Sequence, residues 1–272
     1  MPDVRVGDVR LHYEVAGSGE PLLMVMGLGG SSAGWAPELV AELSRSFRTI
    51  IYDNRGTGQS DKPDEPYSLE MFAGDAMAVL DDLHLRRAHV FGVSMGGMIA
   101  QEIALQYSPR LQTLTLGYTT CGGRNAVPPP AESAKLLTAP RDGLSDADVI
   151  RRGWPLAYTT EYIERHRAEL EASIPRLLVN ATPAFIFKRH LEATFGLKTY
   201  DRLPLITMPT LVIAGAQDVL IPAQNSEILA ARILQAKLHI IPHAGHAFFN
   251  EAREEFLNEF VPFLKSHPLG GD

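Results

Sequence analysis

The stretch Ala88-His89-Val90-Phe91-Gly92-Val93-Ser94-Met95-Gly96-Gly97-Met98-Ile99-Ala100 constrains the fold of this chain more than any other. An apolar run of strand length leads into Gly-Val-Ser-Met-Gly. A run of good helix formers, Met98 to Tyr107, follows. A strand that passes into a helix through so short a turn lifts Ser94 off the end of a sheet and predicts a strained backbone there. Gly92, Gly96 and Gly97 remove side chains that would collide inside the bend. Met95 then opens the helix, where backbone N–H groups lack intrahelical partners and the dipole is positive. An oxyanion forming beside Ser94 would be stabilised at that point. The bland alternative, a Gly/Ser turn that only connects two elements, does not explain why the pattern sits between a strand and a helix.

The segments around this stretch alternate. Val4–Val6 and Val9–Ala16 read as a hairpin about Gly7-Asp8. Residues 21–26 and 47–52 are apolar runs suited to buried strands, separated by a helix read over 35–46. A helix is read over Ser68 to Leu83, with Ser68 as its N-cap. The Ser94 strand and helix come next, then a strand at 111–116. Strand character resumes at 210–214 and again at 237–241, with helices read over 223–234 and 250–265 and a frayed tail from His267 to Asp272. Such alternation predicts an α/β fold: a mostly parallel eight-stranded sheet with helices on both faces.

Between the two halves the character changes. Cys121-Gly122-Gly123 and Pro128-Pro129-Pro130 are breakers, and no strong strand run appears up to about Thr199. Short helical patterns occur at 131–137, 145–154, 160–171 and 182–193. The chain therefore divides into a core, residues 1–120 and 201–272, and an inserted helical lid, residues 121–200. Most aromatic residues of the lid read as its own packing. Trp154, Tyr158 and Phe185 are the candidates for lining a substrate pocket.

Composition excludes several classes of partner. The net charge is −7, so the field of the whole protein does not favour nucleic acid or anionic membrane. Cys121 is the only cysteine, so no internal disulfide or cysteine metal cluster can form. No apolar run is long enough to span a bilayer, and the first residues lack a basic region followed by an apolar run. A cytoplasmic protein is the expectation. Oligomeric state is not legible.

Three loops after strands carry chemistry. Gly27-Leu28-Gly29-Gly30-Ser31-Ser32 can turn backbone N–H groups into a cavity. It is not a P-loop, because no Gly-Lys-Ser/Thr follows, and it lacks the dinucleotide fingerprint. An anion hole is its functional reading and a surface loop its bland one. Asp218 follows the strand at 210–214, and His246 follows the strand at 237–241. A serine hydroxyl needs a base within hydrogen-bond reach, and that imidazole needs a carboxylate on its other nitrogen. Ser94, Asp218 and His246 supply the three groups in the chain order Ser, Asp, His. His243 is a rival base. His239, His243 and His246 are spaced suggestively for a metal, but they lack accompanying ligands, so no metal site and no cofactor is expected. The remaining histidines, His190 among them, read as surface or packing residues. Asp53 and Arg55 read as loop-holding residues joined by hydrogen bonds and an ion pair.

The Gly92–Gly96 turn, the Asp-x-Arg-Gly-x-Gly-x-Ser loop at 53–60, Gly-x-x-Asp at 215–218 and Ala-Gly-His at 244–246 together resemble the α/β-hydrolase superfamily. The likeness covers nearly the whole chain and is weakest in the lid. Within the superfamily the chain is most similar to small carboxylesterases and lactonases of the enol-lactone hydrolase type. The resemblance implies Ser94 as nucleophile, Asp218 as acid and His246 as base. It also implies an oxyanion hole made by the backbone N–H groups of Leu28 and Met95. Relatives usually carry His-Gly after the third strand, where this chain has Met26-Gly27. The donor at Leu28 needs no side chain, but the bracing bonds of that histidine are lost.

The expected activity is hydrolysis of a small-molecule carboxylic ester or lactone through an acyl-enzyme, with a small or medium, fairly apolar acyl group. A C–C bond hydrolase or an amide-cleaving peptidase could use the same triad. A ligand receptor with a slow, retained triad is the alternative of another class. A haloalkane dehalogenase would need a carboxylate where Ser94 stands.

Overall fold

Ala88–Val93 forms a strand buried along its whole length, and the sheet is laid out on both sides of it. The computed structural model describes residues 3–270. It contains β1 (Asp3–Val6), β2 (Val9–Ala16), β3 (Glu20–Val25), β4 (Phe47–Tyr52), β5 (Ala88–Val93), β6 (Leu111–Gly117), β7 (Thr210–Gly215) and β8 (Ala236–Ile241). Their order in the sheet is β1-β2-β4-β3-β5-β6-β7-β8. Only the first two pairings are antiparallel; β4 through β8 run parallel. The chain steps from β3 outward to β4, then returns to β5 on the other side of β3. Loops leaving β3 and β5 therefore face each other at the carboxyl edge, the place where an open α/β sheet offers a crevice.

Helices cover both faces. On one, α1 (Pro37–Leu43) and α11 (Arg253–Lys265) bury Leu39, Leu43, Phe256 and Phe260 against the sheet. Phe91 of β5 packs on Phe256 and Phe260 at ring-centroid distances of 5.4 and 4.9 Å. Replacing such a buried ring by Ala costs about 3–5 kcal/mol. On the other face, α2 (Leu69–Asp82), α3 (Met95–Gln106) and α9 (Gln224–Arg232) enclose the second core. The Ser68 hydroxyl caps α2 by accepting from the Met71 N–H at 3.2 Å.

Five helices lie between β6 and β7: α4 (Ala131–Leu137), α5 (Asp146–Ala157), α6 (Thr160–Arg165), α7 (Arg167–Leu178) and α8 (Ala184–Thr194). α5 and α7 share a small core of Trp154, Leu170 and Ile174, with Tyr162 and Ile163 of α6 packed against it, whereas Ile186 and Ala193 of α8 join the second core of the sheet. The helix read over 160–171 is two helices, broken at His166, whose φ and ψ are −113° and 21°. Tyr158, Tyr162 and His166 stack ring on ring across the break, at 5.2 and 4.3 Å. The terminal helix is likewise divided: α10 (Phe248–Glu251) ends at Ala252, whose φ of −130° starts α11 in a new direction. The residues before position 271 are not frayed. The Leu269 N–H donates to Glu20 at 2.7 Å, and the Gln112 amide donates to the Pro268 carbonyl at 2.7 Å. Gly271 and Asp272, like Met1 and Pro2, lie outside the described residues. Among the described residues no helix is long and apolar enough to cross a membrane.

Candidate active site

Ser94 stands between β5 and α3 with φ 54° and ψ −122°, a backbone conformation that L-residues rarely adopt. The surrounding structure holds it there. Its N–H donates to the Gly117 carbonyl at 3.0 Å, and its own carbonyl accepts from the Thr119 hydroxyl at 2.8 Å. Gly96 permits the bend, because a side chain there would strike the Val25 carbonyl. Met95 begins α3, so its N–H belongs to the partnerless first turn of a twelve-residue helix.

The loop after β3 passes directly beside this serine. A Cβ on Gly27 would lie 2.9 Å from Ser94 Cβ. Leu28 follows, and the turn closes with the Gly30 N–H donating to the Gly27 carbonyl at 3.1 Å. The Met26 side chain packs beneath this turn, filling the space where Gly30 and Gly34 have no side chains. Apolar packing therefore occupies this position. Polar bracing comes from elsewhere: the Asn54 amide donates to the Met26 carbonyl at 3.1 Å.

His246 and Asp218 come from the loops after β8 and β7. Nδ1 of His246 lies 2.7 Å from one Asp218 oxygen. The other oxygen accepts from the Leu220 and Ile221 N–H groups, both at 2.8 Å. A carboxylate can only accept, so the imidazole carries its proton on Nδ1 and presents the lone pair of Nε2. The ring packs against Tyr118 at a centroid distance of 4.3 Å. Tyr118 lies between Gly117 and Thr119, the two residues that bond the Ser94 backbone, so the imidazole packs on the segment that holds the serine turn. Both His246 and Asp218 are buried. Glu251 fixes the histidine loop by accepting from the N–H groups of Gly245 and Thr159.

The other sequence candidates fall elsewhere. His243 is exposed and faces Glu255, which also meets His239 at 3.2 Å. Asp53 is buried and serves the loops: its carboxylate accepts from the Ser32 and Gln59 N–H groups, each at 2.7 Å. Arg55 pairs not with Asp53 but with Asp75 of α2, through two bonds of 2.6 and 2.7 Å. That pairing raises the Arg55 pKa, while burial raises that of Asp75.

A cavity of about 320 Å³ lies beneath the helical insert and is lined by Leu28, Gly29, Leu156, Leu177, Phe187 and Arg141 among others. Neither Trp154, Tyr158 nor Phe185 lines it. Trp154 is buried in the insert's own core, the Tyr158 hydroxyl accepts from Asn250 at 3.1 Å, and Phe185 is 43% exposed. Helix α8 turns Phe187 inward instead, and its ring lies against Gly29 and under the Arg141 guanidinium at 4.3 Å. Sequence reading places His190 among the surface or packing histidines and does not single out Thr182. His190 is fully buried, and both of its nitrogens face backbone groups, of Arg55 and Gly29. No local signal marks either residue, because their partners are more than a hundred positions away.

The chain is similar to known proteins in sequence and in fold. A relative from Variovorax paradoxus, provisionally named carbamate hydrolase RutD, is 34% identical over 270 residues, covering 93% of this chain and 96% of its own. The crystal structure of the enol-lactonase from Burkholderia xenovorans superposes with a TM-score of 0.83 at 29% identity, covering 97% of this chain and 100% of that one. Est816, described as an N-acyl homoserine lactone degrading enzyme, superposes with a TM-score of 0.83 at 26% identity, over 97% and 100% of the two chains. A sequence model of the alpha/beta hydrolase family matches residues 22–259, most of the chain: the chain belongs to the alpha/beta hydrolase family.

Proposed function

We propose that the protein is a serine hydrolase of small carboxylic esters or lactones, working through an acyl-enzyme on Ser94. The observation that carries this reading is the strained Ser94 backbone at the carboxyl edge of the sheet, the edge that also holds an imidazole oriented by Asp218 at 2.7 Å. Ser94 Oγ attacks the carbonyl carbon while His246 Nε2 takes its proton. Asp218 holds the tautomer and stabilises the imidazolium. The tetrahedral oxyanion is received by the N–H groups of Met95 and Leu28, the first assisted by the positive end of α3. His246 returns the proton to the leaving oxygen, then activates the water that releases the acid. The helices of residues 121–200 act as a lid, and the largely apolar cavity beneath them takes the organic part of the substrate.

A second reading is cleavage of a carbamate, favoured by the name of the Variovorax paradoxus relative. A carbamate offers the same electrophile, a carbonyl carbon, with nitrogen on one side. Turnover of a panel of short p-nitrophenyl esters, lactones (acyl-homoserine lactones included), carbamates and a C–C diketone separates these readings. The expected result is highest kcat/KM on an ester or lactone, lost in Ser94→Ala. Highest turnover of a carbamate would replace the substrate class and keep the mechanism. Tight ligand binding with negligible turnover across the panel would make the protein a receptor.

A further inference from the structure

Gly29, one residue past the donor assigned to Leu28, is held by the lid on both sides. Its N–H donates to Nδ1 of His190 at 3.4 Å, and its carbonyl accepts from the Thr182 hydroxyl at 2.8 Å. His190 belongs to α8, and Thr182 lies in the loop before that helix. A third lid residue, Arg176 of α7, donates to the Ala33 and Trp35 carbonyls farther along the same loop.

The state of His190 is set by its surroundings. Nε2 lies 2.9 Å from the Arg55 carbonyl, which can only accept, so the proton sits on Nε2 and Nδ1 is an acceptor. Phe72 and Tyr67 pack edge-on against the ring at 5.0 and 5.7 Å, and the residue has no exposed surface. Burial lowers its pKa to about 4, which keeps the acceptor available at neutral pH. A buried histidine that satisfies both nitrogens on the backbone of two separate loops fixes those loops relative to each other.

Gly29 has a φ of 64° and no side chain to limit rotation of its peptides. The peptide joining Leu28 to Gly29 is next to the one that carries the Leu28 N–H. We propose that His190, with Thr182, is a positioning residue that aims the Leu28 N–H at the oxyanion by clamping Gly29, so that the hole is complete only with the lid docked. This rests on the serine-hydrolase reading of the site.

Variants can separate the two roles of the imidazole. His190→Asn keeps an acceptor near the Nδ1 position and loses the donor to Arg55. His190→Gln keeps a donor toward Arg55 and loses the acceptor for Gly29. Thr182→Val removes only the hydroxyl of a partly exposed residue and guards against a His190 variant that fails to fold. Hydrolysis of p-nitrophenyl acetate is measured with each, together with inhibition by a trifluoromethyl ketone. Because one oxyanion donor is worth about 10²–10³ in kcat, misaiming it in His190→Gln lowers kcat by about 10-fold to 100-fold with KM nearly unchanged. Affinity for the ketone falls in parallel. Thr182→Val loses several-fold in kcat, and His190→Asn retains more kcat than His190→Gln. Unchanged kcat in Thr182→Val and in folded His190→Gln would overturn the proposal, as would equal losses in the Asn and Gln variants. Absence of wild-type turnover, or its persistence in Ser94→Ala, would instead overturn the reading of the site, and the clamp with it.

Discussion

Gly27 and Ser94 meet so closely that a methyl group on Gly27 would lie 2.9 Å from the serine Cβ and 3.4 Å from its Oγ. The loop proposed to bind the oxyanion is therefore packed against the proposed nucleophile, and any side chain at position 27 pushes the two apart. Gly27→Ala is expected to lower kcat by about 100-fold, the cost of losing one aligned oxyanion donor. Its melting temperature should fall by only a few degrees, because the change touches one loop. Steady-state kinetics alongside a thermal melt check this.

Asp53 and Asp218 are both buried carboxylates in loops that follow parallel strands, and the structure gives them different work. Asp53 accepts two backbone N–H bonds and touches no histidine, whereas Asp218 orients His246. Asp53→Asn is expected to cost about 2 kcal/mol of stability through one lost acceptor. The folded variant should keep kcat within about tenfold. Asp218→Asn should lower kcat by about 10⁴-fold, as loss of the correct imidazole tautomer does in such triads. Denaturant unfolding and kinetics on both variants make the comparison.

The local part of the site could be read from the sequence because its causes are local. Gly92, Ser94 and Gly96 lie within five positions, and the strand and helix they join are signalled by apolar patterning on either side. Asp218 and His246 were legible for a related reason: each follows an apolar strand run at the sheet edge where Ser94 must also lie. The helix breaks at His166 and Ala252 were not legible, since helical periodicity runs through both and only the tyrosine stack and the Glu251 contacts decide against it. The lining of the cavity was not legible for the same cause. Trp154 and Phe185 are large aromatics on helices of the insert, but only packing determines that Phe187 turns inward and Phe185 outward. His190 and Thr182 act through partners in distant loops, which no spacing rule connects.

His190 also makes stability depend on pH. The unfolded chain takes up a proton on this residue near the ordinary value of 6.5, whereas the folded protein resists until about pH 4. Between these values the unfolded state binds more protons, so stability falls as pH falls. The loss amounts to roughly 3 kcal/mol across the window and levels off below it. Neighbouring Tyr67 stays neutral, its pKa raised to about 12 by burial, and Arg55 stays charged. Urea unfolding between pH 7 and 4 should show this decline in the wild type and a smaller one in His190→Asn. Equal slopes in the two proteins would remove His190 as the cause.

The central claim is that Ser94 is the nucleophile and His246 its base. Reaction with a p-nitrophenyl alkylphosphonate, followed by intact-mass measurement and peptide mapping, tests it most directly. One phosphonyl adduct per chain on Ser94, formed in step with loss of ester hydrolysis and at least a thousandfold more slowly in His246→Ala by the rough worth of such a base, is the predicted result. A fully inhibited protein with Ser94 unmodified, or full activity with Ser94 modified, would contradict it.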